Sequence, residues 1–125
     1  MNNFLYSTYM LVNNKKHVLI RFPETPSQLY YEYVALDKLT LKEILPIIKN
    51  CEISICNDSS FSHLSAALGI KTITLMADTP LIYGSYSSKM FPIIPDGELT
   101  VTHNTLGKEK INPQKIFEKI IEIIN

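Results

Sequence analysis

The residues of this chain best able to do chemistry lie together in Asn57-Asp58-Ser59-Ser60-Phe61-Ser62-His63-Leu64, where a carboxylate, three hydroxyls and an imidazole share one short stretch. The stretch follows Ile53-Ser54-Ile55-Cys56, which reads as a strand, and precedes a helical pattern from about Ser60 to Leu68. It therefore sits at the carboxyl end of a strand and opens a helix, the place where open α/β sheets bind ligands. The first turn of a helix has N–H groups without partners and a partial positive charge, and both suit a phosphate or pyrophosphate. Ser59, Ser60 and Ser62 add short hydroxyls at the same point. The plainer reading is that Asp58 or Ser59 only caps the helix, and capping and ligand binding can coexist. A lone histidine one turn into a helix, as His63 would be, is as readily a surface or structural residue. Asp58, Ser60 and His63 are the residue types of a hydrolytic triad, but a triad is assembled from separated parts of a fold. No Gly-x-Ser-x-Gly elbow is present either, which argues against a serine hydrolase.

These residues need a scaffold, and the periodicity supplies one. Val18 to Phe22 is a short apolar run between polar residues and a proline-rich breaker, and it reads as a buried strand. Tyr30 to Leu36, aromatic and β-branched, suggests a second strand. Thr40-Leu41-Lys42-Glu43 fits a capping box, with Leu39 and Ile44 at the positions of a hydrophobic staple, so a helix should start there. Pro46 should kink or restart that helix and leave the segment to Asn50 irregular. Thr72 to Met76 is a further strand. Phe61, Leu64 and Leu68 fall on one face of the helix before it, and Gly69 suits its left-handed close. Strand, helix and strand here have the size of a βαβ unit with parallel strands. Ala77 to Gly97 reads mostly as loop with a short strand at Met90 to Ile94, and Leu99 to His103 as one more strand. Asn112-Pro113 then starts a helix whose apolar stripe is Ile116, Phe117, Ile120, Ile121 and Ile124. The alternation implies an α/β fold, a Rossmann-like three-layer sandwich with a mostly parallel sheet.

At 125 residues the chain fits a single domain, residues 1–125, with a core large enough to fold unaided. Its formal net charge of +0 offers no basic field for a nucleic-acid backbone and at most a peripheral association with a membrane. No run approaches the roughly 20 apolar residues of a membrane span, and no signal-peptide pattern opens the chain. Cys51 and Cys56 lie in or beside an apolar segment without a Cys-x-x-Cys pairing, so both read as buried hydrophobes in a reducing, cytoplasmic compartment. Tyr30, Tyr31, Tyr33, Tyr83 and Tyr86 could form an interface, although strand and loop tyrosines more commonly pack on the core.

The run from Cys56 to Ile70, followed by the strand at Thr72 to Met76 and then Asp78-Thr79-Pro80, resembles the signature of glycosyltransferase family nine, which includes the bacterial ADP-heptose:lipopolysaccharide heptosyltransferases. The family pattern is approximately Asn-Asp-Thr-Gly-x-x-His-Leu-Ala-Ala-Ala-Leu-Gly, a strand, then Gly-x-Thr. With the flanking helices the likeness covers about two thirds of the chain. The resemblance implies the C-terminal half of a GT-B glycosyltransferase, binding a nucleotide-diphosphate-sugar donor in lipopolysaccharide or surface-glycan biosynthesis. It implies donor contacts from Asn57, Asp58, Ser59, Ser60, Phe61, His63 and Thr79, with no metal or other cofactor. For Asp58 a sugar hydroxyl or a backbone donor is a better partner than a phosphate, because like charges repel.

The chain departs from the pattern where Ser60 and Ala77 stand in place of glycines that would let a ligand approach the backbone. Family members pair two Rossmann-like domains around a cleft, and the catalytic base comes from the N-terminal one, so no catalytic residue is expected within this chain. The resemblance leaves it as a fragment, a remnant or a subunit that needs an N-terminal-domain partner, or forms a homo-oligomer, and is inactive alone. The competing readings are a non-catalytic Rossmann-like interaction module descended from a glycosyltransferase, and a related nucleotide-sugar epimerase.

Overall fold

The computed structural model describes residues 9–12 and 15–20 at the level of the backbone, and residues 39–124 with their side chains. The strand expected at Tyr30 to Leu36, the end of the one expected at Val18 to Phe22, and Tyr30, Tyr31 and Tyr33 lie outside these residues.

Among the described residues five strands form one sheet in the order β2-β1-β3-β4-β5. They are β1 (Tyr9–Val12), β2 (Lys15–Ile20), β3 (Cys51–Asn57), β4 (Lys71–Leu75) and β5 (Met90–Ile93). The last three are parallel, with Ile55 opposite Ile73 and Ile73 opposite Phe91. β1 runs antiparallel to both its neighbours, pairing Tyr9 with Ile20 on one side and with Ile55 on the other. The sheet is thus a parallel half extended by an antiparallel pair. β5 closes one edge and carries Pro92, a residue that sheets tolerate at edges because it has no N–H to give.

Helices cover both faces. Alternate side chains of a strand point to opposite sides. Ile53, Ile55, Ile73, Leu75 and Ile93 form a cluster with Ile116, Ile120 and Ile123 of α3 (Pro113–Ile124). On the other side Ser54, Thr72 and Thr74 are fully buried, and Ser54 meets Ser65 of α2 (Ser60–Ala67) through a 3.1 Å hydrogen bond. The small residues on this face let α2 approach the sheet closely. α1 (Leu41–Lys49) lies beside α2, sharing a cluster in which Ile44, Ile48, Cys51 and Ile70 meet Phe61, Leu64 and Leu68. The result is the expected Rossmann-like α/β architecture, with the parallel strands β3, β4 and β5 forming one side of the sheet.

The helix ends follow local chemistry. Thr40 and Glu43 form the capping box, the Glu43 carboxylate accepting from Thr40 N at 2.8 Å and from its hydroxyl at 2.7 Å. These bonds, the backbone one first, hold the Glu43 carboxyl below its usual range. α1 continues through Pro46 to Lys49 as one helix, so the segment to Asn50 is not irregular and the helix does not restart there. Pro46 and Lys42 are both exposed, so solvent reaches the Lys42 carbonyl that Pro46 cannot serve. Gly69 closes α2 at φ 84°, as its position implies. The Asn112 side chain caps α3 by accepting from Gln114 N at 2.9 Å, and Lys71 donates to the Ile123 carbonyl at the other end.

Two further expectations are corrected. Leu99 to His103 is not a strand: Val101 is buried, but Leu99 is 97% exposed, and Thr102 turns back to Thr105 through bonds of 3.2 and 2.9 Å. Tyr83 and Tyr86 are not core residues but are both exposed.

Candidate functional site

β3 and β4 end side by side, with Asn57 opposite Leu75. The Asp58 N–H extends the pairing by one bond to the Leu75 carbonyl at 3.2 Å, and the chain then leaves the sheet. Ser59 is extended, at φ −159° and ψ 173°, and Ser60 begins α2. Ser62 shapes this turn from a fully buried position. Its N–H donates to the Ser59 carbonyl at 3.0 Å. Its hydroxyl donates to the same oxygen at 2.7 Å and accepts from Ser59 N at 3.4 Å. The turn from Asp58 to His63 therefore lies at the carboxyl edge of parallel strands, with the positive end of a helix facing out of the sheet. The first helical turn of α2 contains no acidic residue, and the one carboxylate of the turn, Asp58, stands just before it beside His63.

The sequence-predicted residues are arranged as follows. Asn57 ends β3, and Asp58, Ser59, Ser60 and Phe61 form the turn, with Ser60 exposed and the others partly buried. Phe61 also packs against the α1 cluster. His63 and Asp58 come together, Nε2 lying 3.7 Å from Oδ1, with side chains 39% and 16% exposed. Thr79 is on the next loop of the same edge, after β4, and is partly buried. Among the described residues no hydrogen bond joins it to the Asp58–His63 group.

The loop after β4 is pinned at two points. Met76 donates its N–H to Ile93 at 2.9 Å, and the 3-10 turn Leu81–Gly84 presses on its side chain. A Cβ on Gly84 would stand 2.5 Å from the Met76 sulfur, so glycine permits this approach. Asp78 pairs with Lys108 at 3.4 Å. Further along, Tyr86 returns to α2, where its hydroxyl lies 2.6 Å from His63 Nδ1, with ring planes 8° apart and centroids separated by 5.6 Å. Tyr86 is the site neighbour that sequence reasoning missed. It stands 23 residues from His63, and only the path of the loop brings the two together.

The third loop of this edge binds α3. Asp96 N donates to the Lys110 carbonyl at 2.9 Å. The Asp96 carboxylate meets Lys115, and Asn112 at 3.0 Å, and these bonds, Lys115 first, hold it below the usual carboxylate range. Both cysteines are buried and free. Burial pushes the Cys51 thiol up to about 11. Burial also pushes Cys56 up to about 12, the Asp58 charge adding to the rise and a bond from Ser54 opposing it. Among the described residues no group of His, Cys, Asp and Glu could hold a metal ion. No helix among them is long and apolar enough to cross a membrane.

The class this defines is a Rossmann-like α/β unit whose helix-opening turn faces outward at the carboxyl edge of parallel strands. Compared with known families, residues 1–97 match glycosyltransferase family 9 (heptosyltransferase), and the chain belongs to that family. The matched residues contain the site and strands β1 to β5 and end before α3. Neither curated proteins nor solved structures offer a match to the chain.

Proposed function

We propose that this chain binds a nucleotide-diphosphate-sugar donor, of the ADP-heptose kind, for a GT-B glycosyltransferase that builds lipopolysaccharide or another surface glycan in the cytoplasm of a bacterium. The observation that carries the reading is the Asp58–His63 turn at the ends of parallel β3 and β4, inside the stretch that matches the family. The diphosphate would lie against the start of α2 around Ser59, Ser60 and Phe61, where the positive end of the helix dipole favours negative charge. Asp58 would accept from a sugar hydroxyl, His63 would donate to a ligand oxygen, and Asn57 and Thr79 would line the same pocket. No metal is needed, because main-chain donors and the helix dipole offset the phosphate charge.

Sugar transfer gains much of its rate from holding donor and acceptor together in one site. The acceptor and the base belong, on this reading, to a second domain that docks on the carboxyl edge, and the chain alone is inactive. The test is thermal unfolding of the purified chain with ADP, UDP and GDP sugars. A ligand at one hundred times its dissociation constant adds about 2.7 kcal/mol of stability. A rise in unfolding temperature with one nucleotide class supports donor binding, and no shift across the panel refutes it.

A second reading, an interaction module that has lost donor binding, is favoured by the exposed Ile82, Tyr83 and Tyr86 on the loop after β4. Aromatic residues of this kind are enriched at protein interfaces. That module would bind a protein partner and leave every nucleotide sugar without effect.

A further inference from the structure

The His63 imidazole has a polar group facing each of its ring nitrogens. Tyr86 Oη lies 2.6 Å from Nδ1, and Asp58 Oδ1 lies 3.7 Å from Nε2. A neutral imidazole carries its proton on one nitrogen, and the partner of the other nitrogen decides which. An ionised carboxylate can only accept, whereas a phenol can donate or accept. A proton on Nδ1 would leave the bare lone pair of Nε2 facing the Asp58 carboxylate, two acceptors opposed. A proton on Nε2 faces that carboxylate favourably, and the short contact at Nδ1 is then made by the phenol donating to the bare nitrogen. The near-parallel rings, 8° apart, keep the imidazole in this orientation.

We propose that Tyr86 is a positioning residue of the donor turn: its hydroxyl holds His63 as the Nε2–H tautomer, with that N–H beside Asp58 and available to a phosphate or sugar oxygen. The ligand in this statement rests on the donor-site reading, but the tautomer does not. The arrangement also gives the loop after β4 a part in the site, because Tyr86 is carried on residues 77–89 and reaches α2 only when that loop lies across the carboxyl edge.

The experiment is long-range proton–nitrogen correlation of the histidine rings in the full chain, well above the ordinary histidine titration range. The His63 signals are assigned by their loss in His63→Gln. The wild type is expected to show the Nε2–H pattern. In Tyr86→Phe the ring stays and the hydroxyl goes; a phenol donates to a bare imidazole nitrogen more strongly than it accepts from an imidazole N–H, so the Nε2–H to Nδ1–H ratio should fall, by less than the roughly fivefold that one whole neutral hydrogen bond would give. Because Tyr86 is exposed, this variant removes no core packing. An Nδ1–H pattern in the wild type, or an unchanged ratio in Tyr86→Phe, overturns the proposal. The same variant should weaken the affinity of whichever nucleotide-diphosphate sugar the wild type binds, in proportion to the fraction of the Nε2–H tautomer that is lost. Unchanged affinity despite a changed tautomer would overturn the positioning role. Failure of the wild type to bind any of these sugars overturns the donor reading, and the ring signals still decide whether Tyr86 sets the tautomer.

Discussion

Replacing Ser62 by alanine removes one hydroxyl from a fully buried position and disturbs the turn on which the functional reading depends. That hydroxyl donates to the Ser59 carbonyl at 2.7 Å and accepts from the Ser59 N–H at 3.4 Å. The carbonyl keeps a second partner, the Ser62 N–H at 3.0 Å, so its loss is modest. The Ser59 N–H loses the partner that Ser62 gives it, over a contact long enough to be weak. One good hydrogen bond and part of another are together worth about 1–2 kcal/mol. For a domain of this size each kcal/mol moves the unfolding temperature by roughly 3–5 °C, which predicts a fall of about 3–10 °C. Thermal unfolding followed by circular dichroism measures it. Ser60→Ala, on the exposed side of the same turn, serves as the comparison and should stay within about 0.5 kcal/mol of wild type. Equal unfolding temperatures for Ser62→Ala and Ser60→Ala would refute the claim that the Ser62 hydroxyl fixes the turn.

Other consequences can be checked on the same protein. Thr40→Ala removes the α1 cap and should destabilise the chain by about 1 kcal/mol in urea titration. The Glu43 carboxyl is held low by Thr40, so its contribution is complete above the ordinary value of 4.5 and is lost as pH falls through the lower folded-state value. Glu43→Gln should accordingly flatten the acid limb of the stability profile, and an unaltered limb would contradict the capping box. With thiols raised to about 11 and about 12, neither Cys51 nor Cys56 should react with a chromogenic disulfide reagent in the native protein near neutral pH, and both should react in denaturant. Gly84→Ala forces Met76 aside and should cost about 1–3 kcal/mol in urea titration, with a smaller effect in a Met76→Ala background.

Much of the fold was legible because it is written locally. The capping box at Thr40, the close at Gly69 and the Asn112-Pro113 start of α3 depend on residues within one turn of each other. Strands β3, β4 and β5 were readable as apolar runs between breakers. What could not be read was decided at a distance. In α3, Ile116, Ile120 and Ile123 face the sheet, while Phe117, Ile121 and Ile124 are exposed. The two sets have the same spacing and lie one position apart, so periodicity alone cannot choose between them. β1 went unread because Tyr9–Val12 is short and its identity as a strand comes from pairing on both sides. At the candidate site, the turn and its helix were visible in the order of residues, and the nearness of Asp58 to His63 follows from one turn of helix. The contact from Tyr86 was invisible, since it depends on how the loop after β4 folds back.

The central claim is that the main-chain amides at the start of α2 hold a diphosphate. It is tested most directly by titrating nitrogen-labelled chain with a nucleotide-diphosphate sugar and following each backbone amide. The account predicts that Ser59, Ser60 and Phe61 show the largest changes, with His63 and Thr79 following and the amides of α3 unmoved. Changes confined to α3, or none at all at saturating ligand, would contradict it.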